Sequence, residues 1–154
     1  MKTYKVAILG ATGAVGQEML KILMERDFPV SELHLLASAR SAGKKITVAG
    51  KEYTVEETTE NSFDGMDIVL GAAENDIAEK YLPIAAAKGA IVVDNSSAFR
   101  LHEDVPLIVP EVNPQAVREH HGIIANPNCA TIIALVALQP LHAYANAKRM
   151  VVST

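Results

Sequence analysis

The sequence contains a single cysteine, Cys129, at a position that suits a reactive thiol. It follows a short apolar segment, Gly122–Ala125, and opens a second, longer one, so it is predicted to lie where a strand gives way to a helix. A lone cysteine is more often a buried, inert hydrophobe. The unpaired N–H groups and the dipole at a helix N-terminus, however, favour a thiolate and can stabilise an oxyanion on an acyl carbon bound to sulfur. We therefore interpret Cys129 as a candidate nucleophile.

Three glycines spaced three apart, Gly10, Gly13 and Gly16, form a second chemical motif. They follow the apolar run Val6–Leu9 and precede a helical pattern, which is the setting that a dinucleotide-binding turn requires. Gly10 lets the chain reverse, Gly13 lets the backbone approach a pyrophosphate, and Gly16 lets the helix pack close to the strand. The G-x-x-G-x-x-G spacing is not the commoner one, and a turn without a ligand is the alternative.

The residues after the second predicted strand, Glu32–Ala37, indicate which dinucleotide is bound. An NAD site usually has Asp or Glu there, to bind the ribose 2′-hydroxyl. This chain instead has Ser38, Arg40 and Ser41, followed by two lysines and no acid. Hydroxyls and cations suit a 2′-phosphate, so the sequence favours NADP; the alternative is a solvated basic loop.

A thiolate beside a nicotinamide indicates one type of reaction. A thiohemiacetal on Cys129 gives up a hydride, and the resulting thioester is released by a second nucleophile. In reverse, an acyl phosphate acylates the sulfur with release of phosphate, and NADPH reduces the thioester to an aldehyde. Arg100 ends a polar loop, Asn95–Arg100, that follows the predicted strand Ala90–Asp94, and guanidinium groups bind phosphate in a bidentate manner. We interpret Arg100 as a candidate phosphate ligand; an exposed loop arginine is the alternative.

Alternating strand and helix patterns predict an α/β fold, with a doubly wound, mostly parallel sheet of the Rossmann type and a small hairpin excursion. Small residues, Ala72 and Ala73, follow one buried strand and leave room for a cofactor. Two prolines lie inside helical patterns: Pro83 is expected to kink or split its helix, and Pro140 to limit the last one. The other predicted elements are the hairpin strands 45–48 and 52–55, strands 67–71, 106–109, 122–125 and 147–153, a helix at 75–88 capped by Asn75, a helix start at Asn113-Pro114, and a helix from Asn126 to about Leu138.

Composition describes an ordinary globular protein of one domain, with 154 residues, 49% hydrophobic and 21% charged. The formal charge of −4 argues against nucleic acid or an acidic membrane as the main partner. One cysteine excludes an internal disulfide and fits a reducing cytoplasm. The chain begins with a strand pattern rather than a secretory signal. The adjacent His120 and His121 are more typical of a solvated helix end than of a metal site, so no metal is predicted.

Five motifs occur in an order that closely resembles the N-terminal half of bacterial aspartate-β-semialdehyde dehydrogenases. Together they cover essentially the whole chain, and five motifs in order are far more specific than any one of them. They are Gly10-Ala-Thr-Gly-Ala-Val-Gly16, Ser38-Ala-Arg-Ser-Ala-Gly43, Asp94-Asn-Ser-Ser-Ala-Phe-Arg100, Val109-Pro-Glu-Val-Asn113 and Asn126-Pro-Asn-Cys-Ala-Thr131.

The resemblance implies reversible, phosphate-dependent oxidation of aspartate 4-semialdehyde to 4-phosphoaspartate with NADP, feeding lysine, threonine and methionine synthesis. It implies that Cys129 is the acyl-thioester nucleophile, with Asn128 beside it to orient the acyl group. It also implies that Arg100, with Asn95, contacts phosphate and substrate. The NADP contacts so expected are Gly10, Thr12, Gly13, Ala14, Val15, Ser38, Arg40, Ser41 and Ala72.

The family's substrate-side glutamine, its general acid/base histidine and its carboxylate-binding arginine would lie beyond Thr154, in a second domain for substrate binding and dimerisation. We therefore expect residues 1–154 alone to bind NADP without turnover, and the full-length protein to be a homodimer. Two alternatives stay open. N-acetyl-γ-glutamyl-phosphate reductase shares the architecture, although its cysteine typically lies in a Gly-Cys-Tyr-Pro setting. The other is a non-catalytic NADP-binding regulatory module in which Cys129 is inert.

Overall fold

Seven strands form one sheet in the computed structural model, which describes residues 2–153, in the order β3-β4-β2-β1-β5-β6-β7. All neighbours pair in parallel except the hairpin strands β3 and β4. The predicted fold class, a doubly wound and mostly parallel sheet of the Rossmann type, is confirmed, and the predicted hairpin joins that sheet at its edge through β4. The strands are β1 Tyr4–Leu9, β2 Val30–Ala37, β3 Lys45–Val48, β4 Lys51–Glu57, β5 Ile68–Gly71, β6 Ile91–Asp94 and β7 Ile123–Ala125, and the α-helices are α1 Ala14–Glu25, α2 Asn75–Ala87 and α3 Cys129–Ala145.

The order of the strands reverses beside β1. The chain passes from β1 to β2 on one side and later returns to β5 on the other, and both of these strands pair with β1 in parallel. Ligands of open α/β sheets bind at such a switch point, outside the carboxyl ends of the strands. The fold therefore places the loops that follow β1, β2 and β5 around one crevice.

Side chains of β1 alternate between two hydrophobic layers, as the period of a strand requires. Ile8 packs towards α1, in a cluster that includes Leu20. Ala7 and Leu9 pack on the other face, with Leu82 of α2. All five residues are at most 1% exposed. Since both faces of the sheet are covered, the run Val6–Leu9 is apolar without interruption.

Two prolines, one predicted to kink or split its helix and the other to limit its helix, lie inside continuous helices. Pro83 lies within α2 and Pro140 within α3, so the predicted ending near Leu138 is wrong and α3 continues to Ala145. Proline removes the hydrogen bond to the carbonyl four residues earlier. Here both prolines, and the residues four positions before them, Glu79 and Val136, are exposed. Water can therefore satisfy the carbonyls that lose their bonds.

The predicted strand 147–153 is wrong, because within residues 2–153 the sheet ends at β7 and this segment pairs with nothing. Residues 106–109 form only one isolated bridge, Leu107 to Ala125. Pro114 starts a short 3₁₀ helix, Pro114–Glu119, with Asn113 at the N-cap position as predicted, although the Asn113 side chain makes no capping hydrogen bond. Glu74, rather than the predicted Asn75, occupies the N-cap of α2. No helix within residues 2–153 combines the length and apolar character needed to cross a membrane.

Candidate active site

A cavity of about 560 Å³ opens at the switch point, within the usual size range of ligand pockets. Its walls come from the loop after β1, the loop after β2 and the loop after β5, together with the end of β4 and the first turns of α2. The lining residues are Leu9, Gly10, Thr12, Gly13, Ala37, Ser38, Ala39, Arg40, Glu57, Thr58, Ala72, Ala73, Glu74, Ile77 and Tyr81.

Two glycines of the turn are required by the fold itself. Gly10 has φ +87°, and a Cβ there would lie 2.6 Å from the carbonyl oxygen of Ala72. A Cβ on Gly16 would contact the carbonyl oxygen of Gly10 and come within 2.8 Å of the Cα of Ala11. Gly16 is therefore the point of close approach between α1 and β1, as the sequence predicts.

Gly13 differs from both, because a Cβ there would meet only the Gly10 carbonyl oxygen, at an ordinary 3.4 Å. Gly13 is the exposed N-cap of α1, with φ −76°, and the helix has no acidic residue in its first turn. The N–H groups of Ala14 and Val15 belong to that first turn and have no partner within the helix. This turn fits a pyrophosphate, since N–H groups and the positive helix dipole converge there without a side chain in the way.

The residues after β2 lie partly on this cavity. Ser38 and Arg40 line it, and Arg40 is exposed. Ser41 does not line it; its side chain is buried, and its Oγ lies 3.5 Å from Nζ of Lys44. A short 3₁₀ helix, Ala39–Ser41, separates the two positions. Of the hydroxyl and cationic groups predicted to receive a 2′-phosphate, Ser38 and Arg40 are the ones at the cavity.

Sequence reasoning missed Glu57, Thr58, Ile77 and Tyr81 as parts of the cavity wall. The hairpin was predicted as an excursion, whereas β4 pairs with β2 in parallel, with Glu57 beside Ala37. Its carboxyl end therefore reaches the same rim as Ser38 and Arg40. The signal available was the extent of the β-pattern, which continues to Glu57 beyond the predicted end at Val55.

Cys129 is the first residue of α3 and is exposed. Asn128 is the N-cap, and its Oδ1 accepts a hydrogen bond from the N–H of Ala130 at 3.0 Å. Because β1 and β7 run parallel in one sheet, the glycine turn and Cys129 lie at the same, carboxyl edge. They are three strands apart, about 14 Å across the sheet. Cys129 is therefore exposed at the same edge of the sheet as the glycine turn.

Arg100 links two loops through hydrogen bonds, the loop after β6 and the loop that leads to Cys129. Its Nε donates to the carbonyl oxygen of Asn126 at 2.8 Å, and its Nη2 donates to that of Asn95 at 3.0 Å. Within residues 2–153, the hydrogen bonds of Arg100 do not use Nη1. No carboxylate there forms a salt bridge with its guanidinium group. Since Asn126 precedes Cys129 by three residues, the structure brings the predicted phosphate ligand next to the loop of the predicted nucleophile. Asn95 contributes its backbone carbonyl to this contact, not its side chain.

Several known proteins are similar in sequence to this chain. The sequence model described as "Semialdehyde dehydrogenase, NAD binding domain" matches residues 5–120. The chain is 55% identical to the aspartate-semialdehyde dehydrogenase of Aquifex aeolicus over 154 residues, covering 98% of this chain and 45% of that protein. It is 50% identical to the Bacillus subtilis protein of the same name, covering 97% and 43%. The chain thus spans less than half the length of these relatives.

Solved structures give the same match. A crystal structure of aspartate semialdehyde dehydrogenase II of Vibrio cholerae, complexed with ASA, has a TM-score of 0.88 at 50% identity, covering 92% of this chain and 47% of that one. The enzyme of Candida albicans, solved with NADP, has a TM-score of 0.72 at 30% identity, with 92% and 47% covered. A Rex-family repressor, RSP, shares only the fold, with a TM-score of 0.58 at 18% identity. The match over residues 5–120 shows that the chain belongs to the semialdehyde dehydrogenase family, as its NAD-binding domain.

Proposed function

We propose that this chain is the NADP-binding half of an aspartate-semialdehyde dehydrogenase, which interconverts L-aspartate 4-semialdehyde and 4-phospho-L-aspartate. The observation that carries the proposal is that Cys129, exposed at the start of α3, lies at the same sheet edge as the glycine turn. Arg100 lies between them, bonded to the cysteine's own loop. The relatives' names support the substrate, and the reaction belongs to lysine, threonine and methionine synthesis in the cytoplasm.

In the proposed mechanism, Sγ of Cys129 attacks the aldehyde carbon and forms a thiohemiacetal. NADP, when bound, supplies the hydride acceptor. Loss of hydride from that carbon, and of the hydroxyl proton to a base outside this chain, leaves a thioester on Cys129. A phosphate oxygen then attacks the carbonyl carbon, the C–S bond breaks, and the acyl phosphate leaves with the thiolate restored.

The first turn of α3 suits the two tetrahedral steps of this mechanism. The N–H of Ala130 is engaged by Asn128, whereas those of Cys129 and Thr131 belong to the first turn and have no intrahelical partner. Donors placed at a developing oxyanion lower the barrier of acyl transfer. Oδ1 of Asn128 accepts the Ala130 N–H, so its amide NH₂ is the group that we propose orients the acyl group, by donating to an acyl oxygen.

Arg100 is the proposed ligand of inorganic phosphate. Its two backbone hydrogen bonds hold the guanidinium plane at the edge of the Cys129 loop. Nη1 takes part in neither bond and can donate to an anion. A charge fixed in this way meets the phosphate that attacks the thioester, without needing to be ordered during each turnover.

We propose NADP rather than NAD as the cofactor. Ser38 and Arg40 line the cavity at the end of β2, where an adenosine 2′-phosphate would lie. Glu57 also lies on this rim, and its position there was not predicted from the sequence. The NADP named in the Candida albicans structure supports this assignment.

A second domain, supplied by the rest of the protein, is also proposed. The relatives are more than twice the length that this chain covers. α3 supports the proposal, because it is strongly apolar and yet has no buried residue, with Ile133 73% exposed and Tyr144 93% exposed. An apolar helix of this kind is normally covered. We propose that the second domain covers α3, supplies the general acid/base and makes the homodimer contacts.

The test uses the full-length product of the gene and follows NADPH formation from semialdehyde. The expected result is activity that requires inorganic phosphate and that falls at least about 10³-fold in Cys129→Ala. The matched measurement is NADPH binding by residues 1–154, which should be the same with and without that substitution, and without turnover. A preference for N-acetyl-γ-glutamyl phosphate in the reverse assay would support the rival reductase. Absence of any turnover, with Cys129 alkylated no faster than free cysteine, would support the regulatory module.

A further inference from the structure

A buried carboxylate, Asp94, ends β6 immediately before the loop that carries Arg100. It is fully buried, and no cation pairs with it within residues 2–153. A buried charge is costly unless it is satisfied by hydrogen bonds. Both carboxylate oxygens are engaged by a single residue: Oδ1 accepts from the N–H of Ser96 at 3.0 Å, and Oδ2 accepts from its hydroxyl at 2.6 Å.

The same hydroxyl extends the network along the loop. Oγ of Ser96, itself buried, accepts a hydrogen bond from the N–H of Ala98 at 3.1 Å while it donates to Asp94. Phe99 then packs in the core, 6% exposed. The Asp94–Ser96 network therefore fixes the path of the chain from the end of β6 to the residue before Arg100.

The backbone of Asp94 reaches the cysteine loop as well. Its carbonyl oxygen accepts from the N–H of Asn126 at 2.8 Å, and the carbonyl of that same residue accepts from Nε of Arg100 at 2.8 Å. Asn126 is thus bonded through its N–H and its C=O to the two ends of one loop. A shift in the path of residues 95–99 would move Arg100 relative to the Cys129 loop.

The neighbouring strand leaves space for this carboxylate. A Cβ on Gly71, at the end of β5, would lie 2.8 Å from Oδ1 of Asp94 and 3.0 Å from Cδ1 of Leu82. The backbone of Gly71 has no unusual dihedral that would otherwise call for glycine. A side chain at Gly71 would therefore crowd the Asp94 carboxylate as well as Leu82, and glycine leaves room for the carboxylate where it lies.

We propose that Asp94 and Ser96 are positioning residues for phosphate use: they hold Arg100 at the angle at which its guanidinium is bonded to Asn126 and open to phosphate. This inference rests on the proposed function. It assigns to Asp94 and Ser96 no contact with substrate, and their effect passes through Arg100.

The test is steady-state kinetics of the full-length enzyme with Ser96→Ala, Ser96→Thr and Asp94→Asn. The loss of one hydrogen bond to a charged group changes an equilibrium by roughly tenfold. We expect Ser96→Ala to raise the KM for inorganic phosphate about tenfold, with the KM for NADP changed less than about twofold. Ser96→Thr, which keeps the hydroxyl, should restore the phosphate KM. Asp94→Asn should act in the same direction as Ser96→Ala, because an amide NH₂ cannot accept a hydrogen bond from the serine hydroxyl. This variant tests the inference if the alanine variant folds poorly.

Ser62→Ala is the matched control, since the Ser62 hydroxyl also accepts a backbone N–H, from Thr59, and donates to the carbonyl oxygen of Glu57. It should leave the phosphate KM unchanged. A purely structural role for Ser96 would lower the active fraction and leave every KM as it was, and that result overturns the inference. So does an unchanged phosphate KM in both Ser96→Ala and Asp94→Asn. Wild-type enzyme without phosphate-dependent activity overturns the proposed function, and this inference with it.

Discussion

Replacing Gly13 by alanine separates cofactor binding from folding in the glycine turn. The backbone at this position, φ −76° and ψ 163°, is one that alanine adopts readily, and the added Cβ meets only an ordinary contact with the Gly10 carbonyl. The fold therefore tolerates the methyl group. If the pyrophosphate of NADP lies over this turn, the same methyl group occupies the space that the anion needs.

The two effects differ in size. Gly→Ala at a compatible position stabilises by about 0.4–1 kcal/mol, while alanine is about 1 kcal/mol poorer than glycine as an N-cap. The net change in the free energy of unfolding should thus be within about 1 kcal/mol, or roughly 4 °C in Tm. Loss of one or two charge-assisted hydrogen bonds costs about 1.5–3 kcal/mol each. The Kd for NADPH should consequently rise at least about tenfold.

The assay is titration of residues 1–154 with NADPH by calorimetry, with Tm measured on the same samples. Gly50→Ala is a control for destabilisation alone, because Gly50 has φ +75° and lies on the hairpin with open space around it. It should lower Tm and leave the Kd unchanged. Gly16→Ala should lose stability, since its Cβ would contact backbone atoms of Gly10 and Ala11. Wild-type affinity in a folded Gly13→Ala variant would refute the placement of the pyrophosphate on this turn.

Two further predictions concern the cavity and the core. Arg40→Ala should raise the Kd of residues 1–154 for NADPH about tenfold and leave that for NADH nearly unchanged, because only the former carries a 2′-phosphate; equal losses for both cofactors in parallel titrations would contradict the role of Arg40. Phe63→Ala, at a fully buried position packed in the cluster around α2, should lower the free energy of unfolding by about 3–5 kcal/mol in urea denaturation, whereas Leu101→Ala, 95% exposed, should change it by less than about 0.5 kcal/mol. A loss below 1 kcal/mol for Phe63→Ala would show that the core there repacks.

The strands of the sheet could be predicted because their signal is local. Val6–Leu9 is apolar without interruption and ends in a glycine, so one stretch of sequence identifies a buried strand and its turn. The segment 147–153 contains a shorter apolar run, Met150–Val152, and forms no strand among the described residues. A strand needs a partner as well as a pattern, and the partner is not encoded in the segment itself.

The end of α3 was predicted wrongly, and the expected split of α2 did not occur, for a related reason. The rule that proline ends a helix assumes that the carbonyl that loses its hydrogen bond finds no other donor. Pro83 and Pro140 lie on exposed faces of their helices, where water can donate a hydrogen bond to the carbonyl four residues earlier. Exposure depends on how the helix packs against the sheet, so the sequence pattern alone gives the proline but not its cost.

The wall of the cavity shows what pairing order adds. Glu57, Thr58 and Tyr81 reach the cofactor crevice because β4 lies beside β2 and α2 starts after β5. None of these residues belongs to a recognisable motif. Identifying them requires the order of the strands, which the chain establishes through long-range contacts.

The hydrogen-bond partners of Arg100 could not be predicted from sequence motifs. A motif gives the residue type and a loop at the correct edge of the sheet, and both agree with the structure. The groups that hold the guanidinium are carbonyl oxygens of Asn95 and Asn126, which every residue type possesses. Because a backbone acceptor leaves no trace in the sequence, the two loops cannot be seen to meet until the fold is known. The supporting side chains, Asp94 and Ser96, are by contrast visible in the sequence. Asp94 is a carboxylate at the end of a strand whose buried positions are otherwise apolar, and Ser96 donates a hydrogen bond to it.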